Sequence, residues 1–443
     1  MITDLTEGKA SRVLIKFSLP MLVSAMFQQL YNICDSVIAG KYAGEDALAA
    51  VGGSYPVTMI FMSVALGCNV GASVIISQLF GAKKYTDMKT AVNTAFTAFS
   101  ILSAVLGIIG ILFGKAILTK LGTPENIFSD CDTYLKIYSA GMLFLFMYNI
   151  CTGIFTALGD SKTPLYLLIV SSVGNIGLDM LFVAVFGLGV PGVAWATFIA
   201  QGAASASAFV ILRKRLRQIE TQVSPGRFSL AMLGNITAMA VPSILQQSFV
   251  SVGNLFIQNL VNGFGSAVVA GYSASIKLNT FAVTSFGTLG NGISNFTAQN
   301  IGAGKYKRIP QGFRASTMIG LCVAVPVSLL YYFFGKPVLM LFLNDSGSQA
   351  METGTAFLRI VAPFYGFVCV KLAADGVMRG AGKMICFMIS TFTDLILRVV
   401  FAYILVESYG SEGIWMSWPG GWIIAAFIAV GFYLSFRRSV NSK

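Results

Sequence analysis

The sequence contains no histidine, and charged residues make up only 11% of its 443 positions. Without histidine the chain lacks Ser-His-Asp and Cys-His catalysis, histidine-ligated haem and most zinc sites. Its seven cysteines form no CxxC pair, which argues against a disulfide framework or a metal cluster. Soluble globular proteins carry about 25% charged residues. The low charge therefore excludes an ordinary soluble protein, and we expect neither an enzyme nor a protein with an organic cofactor.

Apolar residues are abundant instead: 56% of the chain is hydrophobic, and the mean hydropathy is +0.76. A membrane-spanning helix needs about 20 predominantly apolar residues. Apolar runs separated by polar or Gly/Pro-rich breaks predict twelve spans, which begin near residues 13, 53, 92, 134, 164, 192, 232, 268, 315, 355, 384 and 414. The sequence therefore predicts an all-α integral membrane protein with twelve transmembrane helices.

The net charge of +12 has an uneven distribution along the chain. Most Lys and Arg residues lie in the amino terminus, in the loops after even-numbered spans and in the carboxyl terminus. Cytoplasmic loops of membrane proteins carry such an excess of Lys and Arg. We therefore expect both termini in the cytoplasm and a multi-pass protein of the plasma (inner) membrane. Membrane topology accounts for the positive charge, so no nucleic-acid partner is expected.

The two halves of the chain resemble each other. The segment Gln78–Tyr85 (QLFGAKKY) recurs as Gln299–Tyr306 (QNIGAGKY), and Pro20 recurs as Pro242. Such a duplication predicts two six-helix bundles, and because six is an even number, the bundles should be related by a pseudo-two-fold axis along the membrane normal. A basic linker near the midpoint sets the predicted lobes at residues 1–222 and 223–443.

Ionisable residues within membrane spans are costly and are functional candidates by default. Two pairs of opposite charge are each spaced four residues apart, so that each pair shares a helix face and can neutralise itself. These pairs are Lys371 with Asp375 and Asp394 with Arg398. When the repeats are aligned, the first-half positions equivalent to Asp394 and Arg398 hold Asn175 and Asp179. By this alignment the first half lacks the basic side chain that neutralises the carboxylate in the second half.

Asp35 in span 1 and Asp179 in span 5 have no basic neighbour in their own helices. Two converging carboxylates would share a proton or collect a cation. The residues Asn175, Thr197 and Tyr31 add amide and hydroxyl oxygens of the kind that a hard cation such as Na⁺ needs. The residue types do not separate Na⁺ from H⁺. Alternatively, these groups hydrogen-bond to fix helix packing, or one carboxylate pairs with Lys277.

Tyr31, two glutamines and one lysine are candidates for lining a cavity between the helices. Gln246 and Gln247 in span 7 either face such a cavity or hydrogen-bond between helices, and Lys277 in span 8 is a candidate with no assigned role. No GxxxxGK[ST] motif is present, which argues against transport driven by ATP within this chain. An ion gradient is the expected energy source.

Four motifs together resemble the multidrug and toxic compound extrusion (MATE) family, in particular its DinF-like branch. They are the span-1 pattern from Pro20 to Asp35 followed by Gly40 and Gly44, the duplicated QxxGAxKY segment, Gly153–Asp160 and Gly376–Gly382. The resemblance implies two lobes and export of amphipathic, often cationic compounds in exchange for Na⁺ or H⁺. It also implies a cation site at Asp35, Asn175, Asp179 and Thr197. NorM-type members carry acidic residues where this chain has Gln246 and Gln247, so a second cation site is not expected.

The expected function is therefore alternating access, in which the lobes rock around a central cavity while a cation replaces the departing small molecule. Membrane lipids are expected partners, and a monomer is the expected state. A lipid or lipid-linked precursor flippase of the same superfamily is the alternative. A membrane scaffold or membrane-embedded enzyme is a third reading, which the duplicated bundle and the intramembrane carboxylates disfavour.

Overall fold

The computed structural model describes residues 3–38, 42, 45–221, 223–343 and 347–441, and this part of the chain is helical almost throughout. Its α-helices are α1 (Ala10–Ile38), α2 (Glu45–Gly81), α3 (Tyr85–Lys120), α4 (Glu125–Ala140), α5 (Met142–Ala157), α6 (Lys162–Asp179), α7 (Gly189–Arg217), α8 (Leu230–Asn262), α9 (Ser266–Gly302), α10 (Arg308–Leu339), α11 (Gln349–Val361), α12 (Tyr365–Gly380), α13 (Met384–Tyr409) and α14 (Ser411–Asn441). A π-helical turn, Met180–Val185, follows α6, and a 3₁₀ turn, Ala362–Phe364, joins α11 to α12.

Twelve segments of the described chain are long enough to cross a membrane. Ten are long and apolar, with α11 and α12 counted as one span. An eleventh is the pair α4 and α5, which is bent by 50° at Gly141. The twelfth is α9, which has 37 residues and is less apolar because it carries many Asn, Gln, Ser and Thr side chains. The predicted all-α integral membrane fold is confirmed, and the twelve predicted spans agree with these twelve segments.

The chain packs into two compact units. Unit 1 comprises Met1–Asp4 and Val23–Ile244, and unit 2 comprises Leu5–Leu22 and Leu245–Lys443. Helix α1 changes unit just after Pro20, and α8 changes unit just after Pro242. Each proline removes a backbone hydrogen bond from its helix. The boundary between the compact units lies inside α8, between Ile244 and Leu245. The lobe boundary predicted from the basic linker lies between residues 222 and 223.

The internal repeat is visible in the corners between helices. After α2, Lys83 adopts a left-handed backbone with φ of 58°, and after α9 the equivalent Gly304 has φ of 69°. The N–H of Lys84 bonds to Leu79 O at 3.0 Å, and the N–H of Lys305 bonds to Asn300 O at 2.8 Å. Both corners are thus the left-handed helix ends that glycine normally occupies. The QxxGAxKY motif specifies this turn twice.

Glycines allow close packing of α2 against the first part of α8 in unit 1. A Cβ atom added to Gly71 would lie 2.8 Å from the backbone nitrogen of Ala240, and one added to Gly67 would lie 2.7 Å from that of Ile244. Small residues spaced four apart let membrane helices approach in this way. This contact is what includes the first part of α8 in unit 1.

The chain ahead of α1 is anchored on unit 2. Leu5 is fully buried, and its N–H donates to Gln299 Oε1 at 2.9 Å. Arg308 Nη1 donates to Gly8 O at 2.6 Å. Gln299 belongs to the second copy of the repeated motif, so this motif both ends α9 and holds the amino-terminal segment.

Candidate cation-coupling site

The last turn of α6 carries two polar side chains that are almost completely buried. Asn175 is 2% exposed and Asp179 is 1% exposed, and their spacing of one helical turn places them on the same face. The π-helical turn Met180–Val185 begins directly after Asp179. Such turns occur frequently at functional sites, because the wider turn breaks the regular hydrogen-bond ladder.

Asn175 connects three elements of unit 1. In one orientation of its side-chain amide, Nδ2 lies 2.5 Å from Tyr31 Oη and 3.1 Å from Asp179 Oδ2, and Oδ1 accepts a hydrogen bond from the Thr197 backbone N–H at 3.2 Å. In the opposite orientation the amide oxygen accepts from Tyr31 Oη at 2.5 Å but also faces the Asp179 carboxylate. We assign the first orientation, because it pairs every donor with an acceptor.

The structure thus brings together Tyr31 of α1, Asn175 and Asp179 of α6, and Thr197 of α7. The sequence predicted these four residues as neighbours. The fifth candidate, Asp35, lies on α1 one turn after Tyr31, and its side chain lies outside the described residues. The contact that involves Thr197 is made by its backbone N–H.

A cleft in unit 1 adjoins this cluster through Thr197. It is narrow, with about 20 Å³ of free space between the α4–α5 pair and α7, which is room for a water molecule rather than for an organic compound. Aromatic side chains dominate its lining: Tyr134 and Tyr138 stack with ring centroids 6.2 Å apart, and Phe198 lies across the cleft on α7 with Gln201. The sequence analysis missed these residues. Tyr134 and Tyr138 are four residues apart, as are Thr197 and Gln201, and residues with this spacing share one face of a helix. This spacing could have identified them from the sequence.

Unit 2 carries a buried network of four charges. Lys371 Nζ lies 3.1 Å from Asp375 Oδ2, and Arg398 Nη2 lies 3.0 Å from Asp394 Oδ1. Both predicted ion pairs are therefore confirmed. Lys371 Nζ also lies 3.7 Å from Asp394 Oδ2, which joins the pairs of α12 and α13. The four side chains are at most 10% exposed and have no net formal charge.

Aromatic rings cover the guanidinium of Arg398. Its Cζ atom lies 4.2 Å from the Trp418 ring centroid and 6.0 Å from that of Trp422. Cation–π contacts of this kind stabilise a desolvated cation.

The corners before α6 and α13 contain the equivalent Gly159 and Gly382, with φ of 74° and 73°, so these helices align with Arg398 opposite Asn175 and Ala402 opposite Asp179. This alignment corrects the one expected from the sequence, which paired Arg398 with Asp179. Unit 2 therefore holds a guanidinium where unit 1 holds the Asn175 amide, and an alanine where unit 1 holds the Asp179 carboxylate.

The remaining candidates lie on α8 and α9. Gln246 and Gln247 are half-buried in α8, directly after the point where this helix changes unit. Lys277 is exposed on α9, and its Nζ lies 5.8 Å from the centroid of the Phe342 ring. Cavity lining by these three residues stays a prediction.

Two six-span repeats and a buried polar cluster within one of them define a duplicated helical membrane protein. The MatE family model matches residues 20–181 and again residues 242–404, which together make up more than half of the chain. The chain therefore belongs to the MATE family, as the sequence motifs predicted. Because one model matches twice, the comparison also confirms the internal duplication.

Individual relatives match along nearly the whole length. The probable multidrug resistance protein YoeA of Bacillus subtilis is 30% identical over 427 residues, covering 94% of this chain and 92% of that protein. The probable multidrug resistance protein YpnP of the same organism is 28% identical over 432 residues, covering 97% and 96%. A solved structure of a MATE protein in complex with MaL6 superposes with a TM-score of 0.93 at 22% identity, covering 99% of both chains. The last similarity establishes the fold.

Proposed function

We propose that this protein exports amphipathic, often cationic small molecules across the plasma membrane in exchange for Na⁺ or H⁺. Membership of the extrusion family and two relatives described as probable multidrug resistance proteins support the export of such compounds. The single observation that carries the coupling is the buried cluster of Tyr31, Asn175 and Asp179 beside Thr197. A carboxylate placed there by a membrane helix is costly unless it has a functional partner.

The repeat comparison supports one coupling site per chain, located in unit 1. Unit 2 carries Ala402 at the position of Asp179, and its buried Asp394 contacts both Arg398 and Lys371, so that the charge of Asp394 is already neutralised by side chains. Asp179 therefore has no counterpart in unit 2, and an exchangeable cation or proton neutralises its carboxylate.

The amide of Asn175 provides a way to respond to the ion. With Nδ2 toward Asp179 it stabilises a carboxylate that has no ion bound. Binding of Na⁺ between these side chains favours the reversed amide, since its oxygen then faces the ion. Reversal gives up the contact between Asn175 Oδ1 and the Thr197 N–H, and Thr197 also lines the aromatic cleft. Ion binding and the shape of the cleft are thus coupled through α7.

The aromatic lining of the cleft supports the proposed substrate class, and with about 20 Å³ of free space the cleft must widen before a molecule such as ethidium enters. Its tyrosine and phenylalanine rings present faces that attract flat organic cations, and Gln201 offers a hydrogen bond. No fixed negative charge lines the cleft among the described residues, so aromatic faces select cations there without a salt bridge. That arrangement suits many related substrates rather than one.

Orientation and assembly follow the same proposal. The last turn of α7 carries Lys214, Arg215 and Arg217, and by the positive-inside rule this end lies in the cytoplasm. Six spans end with α7 and six follow it, so both termini also lie in the cytoplasm. Alternating access by a single chain needs no second copy, so the protein acts as a monomer among membrane lipids.

Efflux of ethidium from vesicles tests the proposal. Wild-type protein is expected to move ethidium under an imposed Na⁺ gradient or an imposed pH gradient, and Asp179→Asn and Asp35→Asn are expected to abolish this movement. Asp132→Asn is the matched control, because Asp132 pairs with Lys136 at 2.7 Å on the surface of α4. Undiminished efflux in both site variants would contradict the assignment. Flux of labelled lipid without gradient-driven ethidium efflux would favour a flippase.

A further inference from the structure

A basic cleft lies in unit 1 between the start of α3 and the end of α7. It contains about 220 Å³ of free space, and Lys89, Arg213 and Arg217 line it together with the amide of Asn93. The linker before α8 closes one side with Pro225. This cleft shares no lining residue with the aromatic cleft beside Thr197.

The three cations of this basic cleft are gathered without a balancing acid. No acidic side chain is among its lining residues in the described part of the chain. Lys89 Nζ donates to Ile219 O at 2.6 Å, and the Arg213 guanidinium lies 5.5 Å from the Phe209 ring centroid. A backbone carbonyl and an aromatic face orient these cations but leave their charge in place. Three like charges at one cleft favour an anionic ligand.

The wall formed by the linker is held in position by hydrogen bonds. Asn93 Nδ2 donates to Gly226 O at 2.9 Å, and the N–H of Gly226 donates to Thr90 Oγ1 at 2.9 Å. The N–H of Ser229 donates to Thr94 Oγ1 at 3.0 Å. Three side chains on two successive turns of α3 thus fix this stretch of the linker, so the cleft is a defined cavity.

The position of the cleft in the spans identifies the class of anion. Helices α3 and α7 are both membrane spans, and the cations lie in the first turns of α3 and the last turns of α7. The cleft therefore lies where the bilayer meets water. Its remaining lining is apolar and includes Phe96, whose ring contacts Phe209 edge-to-face at 5.4 Å. Charge at one end and apolar surface at the other match an anionic amphiphile.

We propose that this cleft binds the headgroup of an anionic phospholipid. The headgroup phosphate lies among Lys89, Arg213 and Arg217, Asn93 donates to a headgroup oxygen, and an acyl chain packs along Phe96. Basic pockets between membrane helices commonly bind anionic headgroups. The bound lipid links α3, α7 and the linker to α8, so it stabilises unit 1 where the two halves of the chain connect. This site is independent of the exported substrate and of the coupling ion.

Native mass spectrometry of the purified protein in neutral detergent tests the proposal. The protein is titrated with phosphatidylglycerol, phosphatidylcholine or inorganic phosphate. Wild-type protein is expected to retain phosphatidylglycerol in preference to phosphatidylcholine. Each cation removed should weaken that binding about fivefold, so the triple variant K89Q/R213Q/R217Q should bind about 100-fold more weakly.

Two further variants separate a built site from general surface charge. K214Q/R215Q/R227Q removes the same charge from neighbouring residues that do not line the cleft, and it should retain phosphatidylglycerol. K89R/R213K/R217K keeps the charge and should bind within about fivefold of wild type. Equal loss in both neutralised triples would overturn the proposal. Displacement of the lipid by millimolar phosphate would also overturn it, because the site would then bind a free anion. If the triple variant does not fold, R213Q alone should show its fivefold loss.

Discussion

Lys371 of α12 lies 3.7 Å from Asp394 of α13, and this contact joins two ion pairs that belong to different helices. Asp394 also contacts Arg398, so one carboxylate of unit 2 is shared by two cations. In unit 1 the position of Arg398 holds the neutral Asn175, which donates to Asp179. The two repeats thus place different charges at equivalent positions of their helices.

Removing Arg398 should destabilise the protein strongly. Arg398→Met leaves the buried network with an uncompensated negative charge, which costs about 3 kcal/mol or more. Thermal unfolding in detergent measures the loss. The double variant D394N/R398M removes both charges and should recover most of the stability. A double variant no more stable than the single one would show that the guanidinium acts through packing on Trp418 rather than through charge.

The hydrogen bonds of Asn175 should control ion affinity. Asn175→Ala removes both the donor that stabilises the ion-free Asp179 carboxylate and the amide oxygen that faces bound Na⁺. For H⁺ coupling, loss of the donor, a contact of about 1.5–3 kcal/mol, should lower the half-maximal H⁺ concentration about tenfold, whereas for Na⁺ coupling, loss of the ligand should raise the half-maximal Na⁺ concentration about tenfold. Tyr31→Phe removes one neutral bond and should change either value only about threefold. Asn149→Ala is the control, since Asn149 Nδ2 bonds only to Leu145 O, at 2.8 Å on the neighbouring α5. An equal shift in all three variants would count against a specific site.

Two equivalent glycines should differ in their tolerance of alanine. At Gly71 an added Cβ would meet the backbone of α8, 2.8 Å from both Ala240 N and Ile236 O, and backbone cannot move aside. At Gly292 it would meet only Ser18 Oγ, at 2.6 Å, which can rotate. Gly71→Ala should therefore lower stability by about 3 kcal/mol and Gly292→Ala by less than about 1 kcal/mol. Unfolding temperatures compare the two, and similar losses would contradict the packing described here.

The corner after α2 contains a residue in a conformation better suited to glycine. Lys83 has φ of 58°, and its counterpart in the second repeat is Gly304. Lys83→Gly relieves about 1–2 kcal/mol of backbone strain and loses about half of that gain to chain entropy, so stability should rise by about 0.5–1 kcal/mol. Lys84→Gly, at a position with φ of −84°, should give no gain. A melting temperature unchanged by Lys83→Gly would contradict the prediction.

Much of the fold was predictable because hydrophobic length and repetition are properties of the sequence. Every predicted span begins near the start of a helix or of a bent helix pair, and the repeated motifs coincide with repeated corners. The neutralising pairs on α12 and α13 were also predictable, because a spacing of four fixes which side chains meet on one helix. Asp35, Asn175, Asp179 and Thr197 were predicted as one cation site from polar residue types in apolar helices and from the family resemblance, with Tyr31 beside it.

Features that depend on packing between helices were not predictable. The contact between Lys371 and Asp394 requires the relative rotation of α12 and α13, which no spacing within one helix specifies. The exchange of α1 and α8 between units depends on close contacts such as that of Gly71 with Ala240. The contact between Asn175 and the Thr197 backbone N–H depends on the packing of α6 against α7, and the role of the Thr197 hydroxyl stays a prediction. Tertiary packing decides each of these.

Counterflow is the most direct measurement of the central claim, which is exchange of an organic cation for Na⁺ or H⁺ at Asp179. Vesicles with equal Na⁺ and pH on both sides are given an ethidium gradient, and ²²Na⁺ or a trapped pH-sensitive dye reports cation movement. Coupling between two ligands works in both directions. Wild-type protein is therefore predicted to drive one of these cations opposite to ethidium, and Asp179→Asn to drive none. Ethidium movement without cation movement in the wild type, or cation counterflow that persists in Asp179→Asn, would contradict the account.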